Sequence, residues 1–288
     1  MQPLKEIQMD SYEKTGYLTK PYKMFHITDK SKLDIPFHYH DFHKILIHIK
    51  GNVSYCIEGR NYKLQPYDIV LVNAGEVHRP ILNDDSIYER IIIYISKNFA
   101  NENILYFDDD LTICFRKASA CQSHVLRFSP IDKSPIWHSI KQLYNSFDDT
   151  GYANELHRKL VFLEFMIQLN RISISGGTQY IDTYSSNEKI VEIIDYLNHN
   201  LTKELSIDNI SDRFFMSRYY LMHSFKEATG YTIGNYVSTK RLLLARDLIQ
   251  NGTPVKTACY ECGFKSYSAF IRAYKKSFDT LPSASFPY

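Results

Sequence analysis

VKTACYECGF (255–264) followed by SYSAFIRAYKK (266–276) is the stretch whose reading decides the fold. Thr253 is placed to cap a short helix with Pro254 at its first position, then Val255 and Ala258. A tight turn at Gly263-Phe264 follows. Ser266 then caps a second helix, with Phe270 and Tyr274 four and eight positions on. Short helix, tight turn and capped helix make a helix-turn-helix, whose second helix enters the major groove.

Sliding the chain against itself by 49 residues finds the pattern again: Ser217, Leu221, Phe225 and Lys226 fall on Ser266, Phe270, Tyr274 and Lys275, and Phe215 on Phe264. Ser206 caps the short helix of this earlier copy, which carries Ile207, Ile210 and Phe214. From Ile233 to Gln250 a connector keeps Ile233, Val237, Leu244 and Leu248 on one stripe, with Gly252 as a stop. About 17 helical residues span roughly 26 Å. Successive major grooves on one face of B-DNA lie about 34 Å apart, so a rigid connector of this length lets one chain deliver two recognition helices.

Here the sequence resembles the AraC/XylS family of bacterial regulators, through KRLLLARDLIQNG (240–252), VKTACYECGF (255–264), SYSAFIRAYKK (266–276) and Pro282. Arg241, Ala245, Gly263-Phe264 and Lys275-Lys276 are in register; Asp279 stands where the family has Gly, and Leu281 where it has Ser or Thr. The resemblance implies a DNA-binding regulator, an activator more often than a repressor, and makes Tyr219, Met222 and His223 the base-reading set of the first unit, beside the outward-facing Arg218. In the second unit Tyr267, Ser268, Ala269 and Arg272 face out, Arg272 being the best guanine reader. Lys226, Lys240, Lys275 and Lys276 are expected on phosphates, which position without specifying. A solvated helix face is the alternative for each of these residues.

Toward the amino terminus, KILIHI (44–49), VSYCI (53–57), YKL (62–64), DIVLV (68–72) and IIIYI (91–95) are punctuated by turn clusters such as Glu58-Gly59-Arg60-Asn61, giving antiparallel hairpins that curl into a barrel or sandwich. Helical periodicity begins at Pro135 (Ile136, Ile140, Leu143, Phe147) and resumes from Tyr152 to Arg171, with apolar residues around much of the second helix. That helix needs cover from the barrel or from a partner chain. SISGGTQYIDTYSSNE (173–188) reads as a linker. The expected fold is thus α+β in two domains: a cupin-like effector-binding barrel (1–133), a helical dimerisation segment (134–172), a linker (173–186) and an all-α double helix-turn-helix (187–288).

His38, His40 and His78 with Pro66 and Asp68 resemble the metal-binding motifs of cupins, which add a Glu where this chain has Lys44. Strand parity puts Lys44 on the side of His38 and His40, and His43 on the other. An ammonium there repels a divalent cation. No metal and no cofactor is therefore expected, and His38, His40, Lys44 and His78 become candidates for an anionic small-molecule effector. Alternatively Lys44 lies in water at the barrel mouth, with the histidines as core or rim residues. A metal-dependent cupin enzyme, isomerase or dioxygenase, and a regulator with a purely structural barrel remain the rival readings.

Composition closes off other classes. Hydrophobic content of 44% argues against disorder, and net charge of +2 says little. Position says more: from Ser186 on, 13 basic against 10 acidic residues give +3, leaving 21 against 22 before it. Five cysteines suit a reducing compartment; Cys259 and Cys262 have the spacing of a metal or redox pair, but no nearby ligand completes one. The first twenty residues lack an apolar signal region and no long apolar run occurs, so a cytoplasmic protein is expected; it would form a homodimer through the helices of 134–172, with double-stranded DNA, an effector and RNA polymerase as partners and no membrane.

Overall fold

The computed structural model describes residues 18, 21–29, 34–97, 99, 110–128, 131–175, 179–181, 183 and 187–285. Nearly all of the stretch read for a secretory signal lies outside them, as do residues 176–178, 182 and 184–186 of the expected linker.

Strands β1 (Tyr22–Asp29), β2 (His43–Lys50), β3 (Val53–Ile57), β4 (Arg60–Lys63), β5 (Ile69–Val72), β6 (His78–Leu82) and β7 (Tyr88–Ile95) come first. Helix α1 (Ile113–Ala120), β8 (Val125–Arg127), α2 (Pro135–Asn145), α3 (Asn154–Ser175) and β9 (Gln179–Tyr180) follow. The strands form a six-stranded antiparallel sheet, β1-β7-β2-β5-β8-β9, and a three-stranded one, β4-β3-β6.

Parity explains why the central strands read as continuous apolar runs. Ile45 and Ile47, Ile69 and Leu71, and Ile91, Ile93 and Ile95 point out of the large sheet onto α1, α2 and α3, meeting Phe115, Ile140, Phe162 and Phe165. Their neighbours Leu46, Val70, Val72 and Ile92 point to the small sheet and pack on Tyr55, Ile57 and Tyr62. A strand buried on both faces has no polar side to alternate with.

Several elements differ from expectation. Helix α1 lies inside the stretch expected to be wholly barrel. β1 is an edge strand whose mixed YKMFHITD carries little strand signal. β9, within the expected linker, extends the large sheet by pairing with β8, and α3 runs to Ser175, past the expected end of the helical segment.

The carboxy-terminal part is helical: α4 (Glu188–His199), α5 (Ile207–Arg213), α6 (Arg218–Thr229), α7 (Ile233–Gln250), α8 (Val255–Glu261) and α9 (Tyr267–Phe278). Ser206, Ser217 and Ser266 cap α5, α6 and α9, accepting from the N–H three residues on. Thr253 does not cap α8: the cap position is Pro254, and the Thr253 N–H instead donates to Leu248 O at the end of α7. Asp279 ends α9 in the left-handed region, φ +53, the conformation for which Gly is preferred and Asp tolerated.

Helix α7 carries two cores. Ile233, Tyr236 and Val237 pack with α4 and α6, while Leu242, Leu243, Ala245 and Ile249 pack with α8 and α9. The stripe expected through Leu244 and Leu248 is only half-buried there; Leu242, Leu243, Ala245 and Ile249 are the buried set.

Candidate functional site

Each reading helix is defined by what it buries. On α6, Leu221, Ser224 and Phe225 face the core, leaving Arg218, Tyr219, Met222, His223 and Lys226 exposed. The Tyr219 and His223 rings lie nearly parallel with centroids 6.1 Å apart. Arg218 Nε meets Asp208 Oδ1 at 2.6 Å; both side chains are more than half exposed, so this pair is weak and open to exchange. On α9, Phe270, Tyr274 and Phe278 face in at four-residue steps, leaving Tyr267, Ser268, Ala269, Arg272, Lys275 and Lys276 outward. Among the described residues no acid pairs with Arg272, Lys275 or Lys276.

Lys240 departs from its expected place. Its Nζ lies 2.7 Å from Glu58 Oε1, with side chains only 12% and 5% exposed, so here it is engaged in a domain contact. The offset of 49 also fails in the turns. Phe215 N–H donates to Asp212 O and Met216 N–H to Ser211 O; in the second unit Gly263 N–H donates to Tyr260 O and Phe264 N–H to Cys259 O. Phe215 therefore corresponds to Gly263, and Met216 to Phe264, because the second turn holds one more residue, Lys265.

In the β-domain, His38 and His78 join in a two-way antiparallel bridge, N–H to O at 3.1 and 2.8 Å. Their Nδ1 atoms donate to Pro36 O (2.8 Å) and Glu76 O (2.9 Å), which fixes the tautomer and leaves each Nε2 as an acceptor. His40 joins them, and one nitrogen from each ring lies within 4.8 Å of the others. These three buried imidazoles are a set that can hold a metal ion, the role that the Lys44 charge argued against; no carboxylate belongs to it among the described residues.

Lys44 stands on the expected side but is 1% exposed, so the alternative of a lysine in water at the barrel mouth is corrected. Its Nζ lies 5.8 Å from the Tyr55 ring centroid. Burial, with Arg90 nearby, lowers Lys44 to about 7. Burial, then Lys44, lowers His38 to about 4, His40 to about 2 and His78 well below the ordinary imidazole value. The imidazoles are neutral at physiological pH. His43 points the other way, its ring 4.5 Å from Phe115.

The contact between the two domains went unread in the sequence. Residues 37–41 alternate: His38 and His40 turn into the β-domain, while Phe37 abuts Gly230, Tyr39 faces Tyr231 at 6.2 Å and Asp41 binds Arg246 at 2.8 Å. In the β3–β4 hairpin Glu58 and Gly59 both have positive φ (+48 and +76), the tight turn that aims Glu58 outward from the sheet. Its carboxylate accepts from Val77 N–H (2.7 Å), Lys240 Nζ (2.7 Å) and the Tyr236 hydroxyl. Arg60 grips Asp195 with two bonds, 2.7 and 3.3 Å, and Lys97 meets Asp247. Tyr236, Lys240, Leu243 and Arg246-Asp247 fall on one stripe of α7, so the helix joining the two reading units is itself seated on the β-domain. Complementary charges 135–205 residues apart leave no local pattern to find.

Two family models match this chain: an AraC-like ligand binding domain over residues 24–165 and a helix-turn-helix domain over 210–286. The HTH-type transcriptional activator RhaS of Citrobacter koseri is 22% identical over 257 residues, 86% of each chain, and that of Escherichia fergusonii 23% over 260 residues. A crystal structure of ToxT from Vibrio cholerae covers 92% of this chain and 96% of its own at 16% identity and a TM-score of 0.37. With both models in one chain and in the order the fold displays, this protein belongs to the AraC family: a DNA-binding transcription regulator with an amino-terminal ligand-binding domain.

Proposed function

We propose that the chain is an effector-responsive activator that reads promoter major grooves with both units, as a cytoplasmic homodimer that engages RNA polymerase. The carrying observation is the seat of α7. One helix holds both reading helices outward, and the stripe of it from Tyr236 to Asp247 rests on the β-domain that carries His38, His40, Lys44 and His78. Residues 37–41 face both ways, so a ligand touching His38 or His40 is linked through the backbone to Tyr39 and Asp41, which contact Tyr231 and Arg246. Binding that favours one arrangement of this segment shifts the population of α7 positions, and with it the half-sites a dimer can span. The activator sign rests on the names of the RhaS relatives.

The effector is a small anion, a carboxylate by preference. Lys44 is the buried cation that would receive it, with neutral imidazoles as donors or apolar walls. The same cation disfavours a divalent metal and with it the rival reading of a cupin enzyme; the chain catalyses no reaction. Dimerisation uses α3, where Tyr152, Leu156 and Leu160 lie exposed at four-residue spacing, Tyr152 just ahead of the helix. The functional divisions are 1–133 for sensing, 134–175 for the helical segment and 187–288 for DNA.

Base reading falls to Tyr219, Met222 and His223 in the first unit and to Tyr267, Ser268, Ala269 and Arg272 in the second. Arg218, Lys226, Lys275 and Lys276 hold phosphates. Genome-wide mapping of bound sites tests the reading: the expected result is a shared motif with two half-sites per chain upstream of a few transcription units. Uniform, sequence-independent occupancy would refute it. Metal analysis of purified protein separates the enzyme reading, which requires stoichiometric metal.

A further inference from the structure

The two helix-turn-helix units differ at one backbone position. Both short helices end in the same motif, with a left-handed residue and then an apolar residue folded back on the core. In the second unit the left-handed residue is Gly263, φ +86. Glycine is required there, because a Cβ would lie 2.9 Å from Leu201 O and 3.0 Å from Thr202 O. In the first unit the same place is held by Phe215, φ +53. A bulky residue in this region is strained.

The turn is held by the Phe215 N–H bond to Asp212 O and the Met216 N–H bond to Ser211 O, and not by the Phe215 side chain. The Phe215 side chain is 92% exposed, whereas its neighbours Phe214 and Met216 pack against the core of α4, α6 and α7. No ring or cation contact reaches it among the described residues. A bulky residue kept in a strained conformation by its surroundings, with its own side chain unburied, points to a partner for that side chain outside the chain's own core. Its place says which partner. Phe215 lies two residues before Ser217, the cap of α6, and the amino-terminal end of a recognition helix is the end that approaches the base edges. Exposed Tyr219 (77%) and Met222 (47%) continue the apolar surface along that helix, with Arg213, Arg218 and Lys226 exposed on the same unit.

We propose that Phe215 is a specificity-determining DNA contact, whose ring packs on a thymine methyl group and the adjoining deoxyribose at the groove edge. The inference rests on the reading of α6 as a recognition helix. It makes the first unit an apolar reader of thymine, in contrast to the second unit with Arg272.

The test uses the full chain and a duplex that wild-type protein selects from a random-sequence pool. Phe215→Gly is compared with Arg272→Ala, on the selected duplex and on versions with single thymines replaced by uracil, which lack the methyl group. Expected for Phe215→Gly are a higher thermal midpoint, because strain is relieved, about tenfold weaker binding, equal to ~1.4 kcal/mol, and loss of the penalty for uracil at one position. Unchanged affinity and an unchanged uracil profile overturn the proposal. So does a change confined to self-association, which would make Phe215 a contact between protein copies. If Arg272→Ala weakens binding and Phe215→Gly does not, this inference alone fails; if neither does, the DNA-reading assignment fails with it.

Discussion

Replacing Lys240 with methionine should loosen the DNA-binding domain from the β-domain. The Lys240 and Glu58 side chains are 12% and 5% exposed, and the carboxylate has three donors: Val77 N–H, the Tyr236 hydroxyl and Lys240 Nζ. Removing one partner of a buried ion pair costs ~3–5 kcal/mol when the other charge is stranded. Two donors remain here, so the expected loss is smaller, about 2 kcal/mol. Glu58→Gln alone should cost a similar amount, since it leaves the ammonium without its counter-charge. The double variant should recover part of the sum, with a coupling of ~1–2 kcal/mol. The assay is hydrogen exchange along residues 233–250, because it reads the local opening of α7 directly. The first and last turns of α7 should lose protection in both single variants. Two outcomes refute the reasoning. One is strict additivity. The other is unchanged exchange in Lys240→Met together with weaker binding to every DNA sequence and a salt slope reduced by about one, which is the behaviour of a phosphate contact.

Arg272→Ala should weaken binding to the selected site by ~1–3 kcal/mol and relax a single base position; equal loss on all sequences would reject a guanine contact. Lys44→Met should stabilise the chain, and more so at low pH. Because folding lowers the Lys44 pKa to about 7 from an unfolded value near 10.4, the folded chain binds fewer protons between those values, and stability rises with pH across that window. The gain from Lys44→Met, read as a shift in denaturation midpoint, is therefore largest near pH 6 and shrinks toward pH 10. Calorimetric titration with carboxylates should show affinity that Lys44→Ala abolishes; equal affinity in both proteins would remove Lys44 from the effector site. Leu156→Glu combined with Leu160→Glu should convert a dimer to monomer in sedimentation, and an unchanged mass would exclude α3 as the dimer surface. Gly263→Ala should lower the thermal midpoint, because the added Cβ would sit 2.9 Å from Leu201 O at φ +86.

Elements built from local pattern were legible in the sequence. Serine caps followed by apolar residues four and eight positions on located α6 and α9 almost to the residue, since capping and helical periodicity act within a dozen neighbours. The apolar runs located β2, β3, β5 and β7, because a strand between two layers must be apolar on both faces. Edge strand β1 and the short β8 and β9 escaped, since their burial comes from strands and helices elsewhere in the chain. Helix α1 escaped for a related reason: its buried Cys114, Phe115 and Ala118 stand among charged and polar residues that blur the period.

For the site, residue identity was legible and engagement was not. The sequence by itself determined that two reading helices exist, which residues they turn outward, and that His38, His40 and Lys44 share a side, because helix and strand parity are properties of the local backbone. Tertiary structure decided three further things. It buried Lys44 and so gave its charge chemical consequence. It engaged Lys240 in the domain contact by bringing Glu58 to it across 182 residues. It moved Phe215 from the core position its neighbour occupies to an exposed, left-handed one, because a turn shorter by one residue shifts the register between two otherwise matching units. Each depends on groups distant in sequence or on loop geometry, and local periodicity carries information about neither.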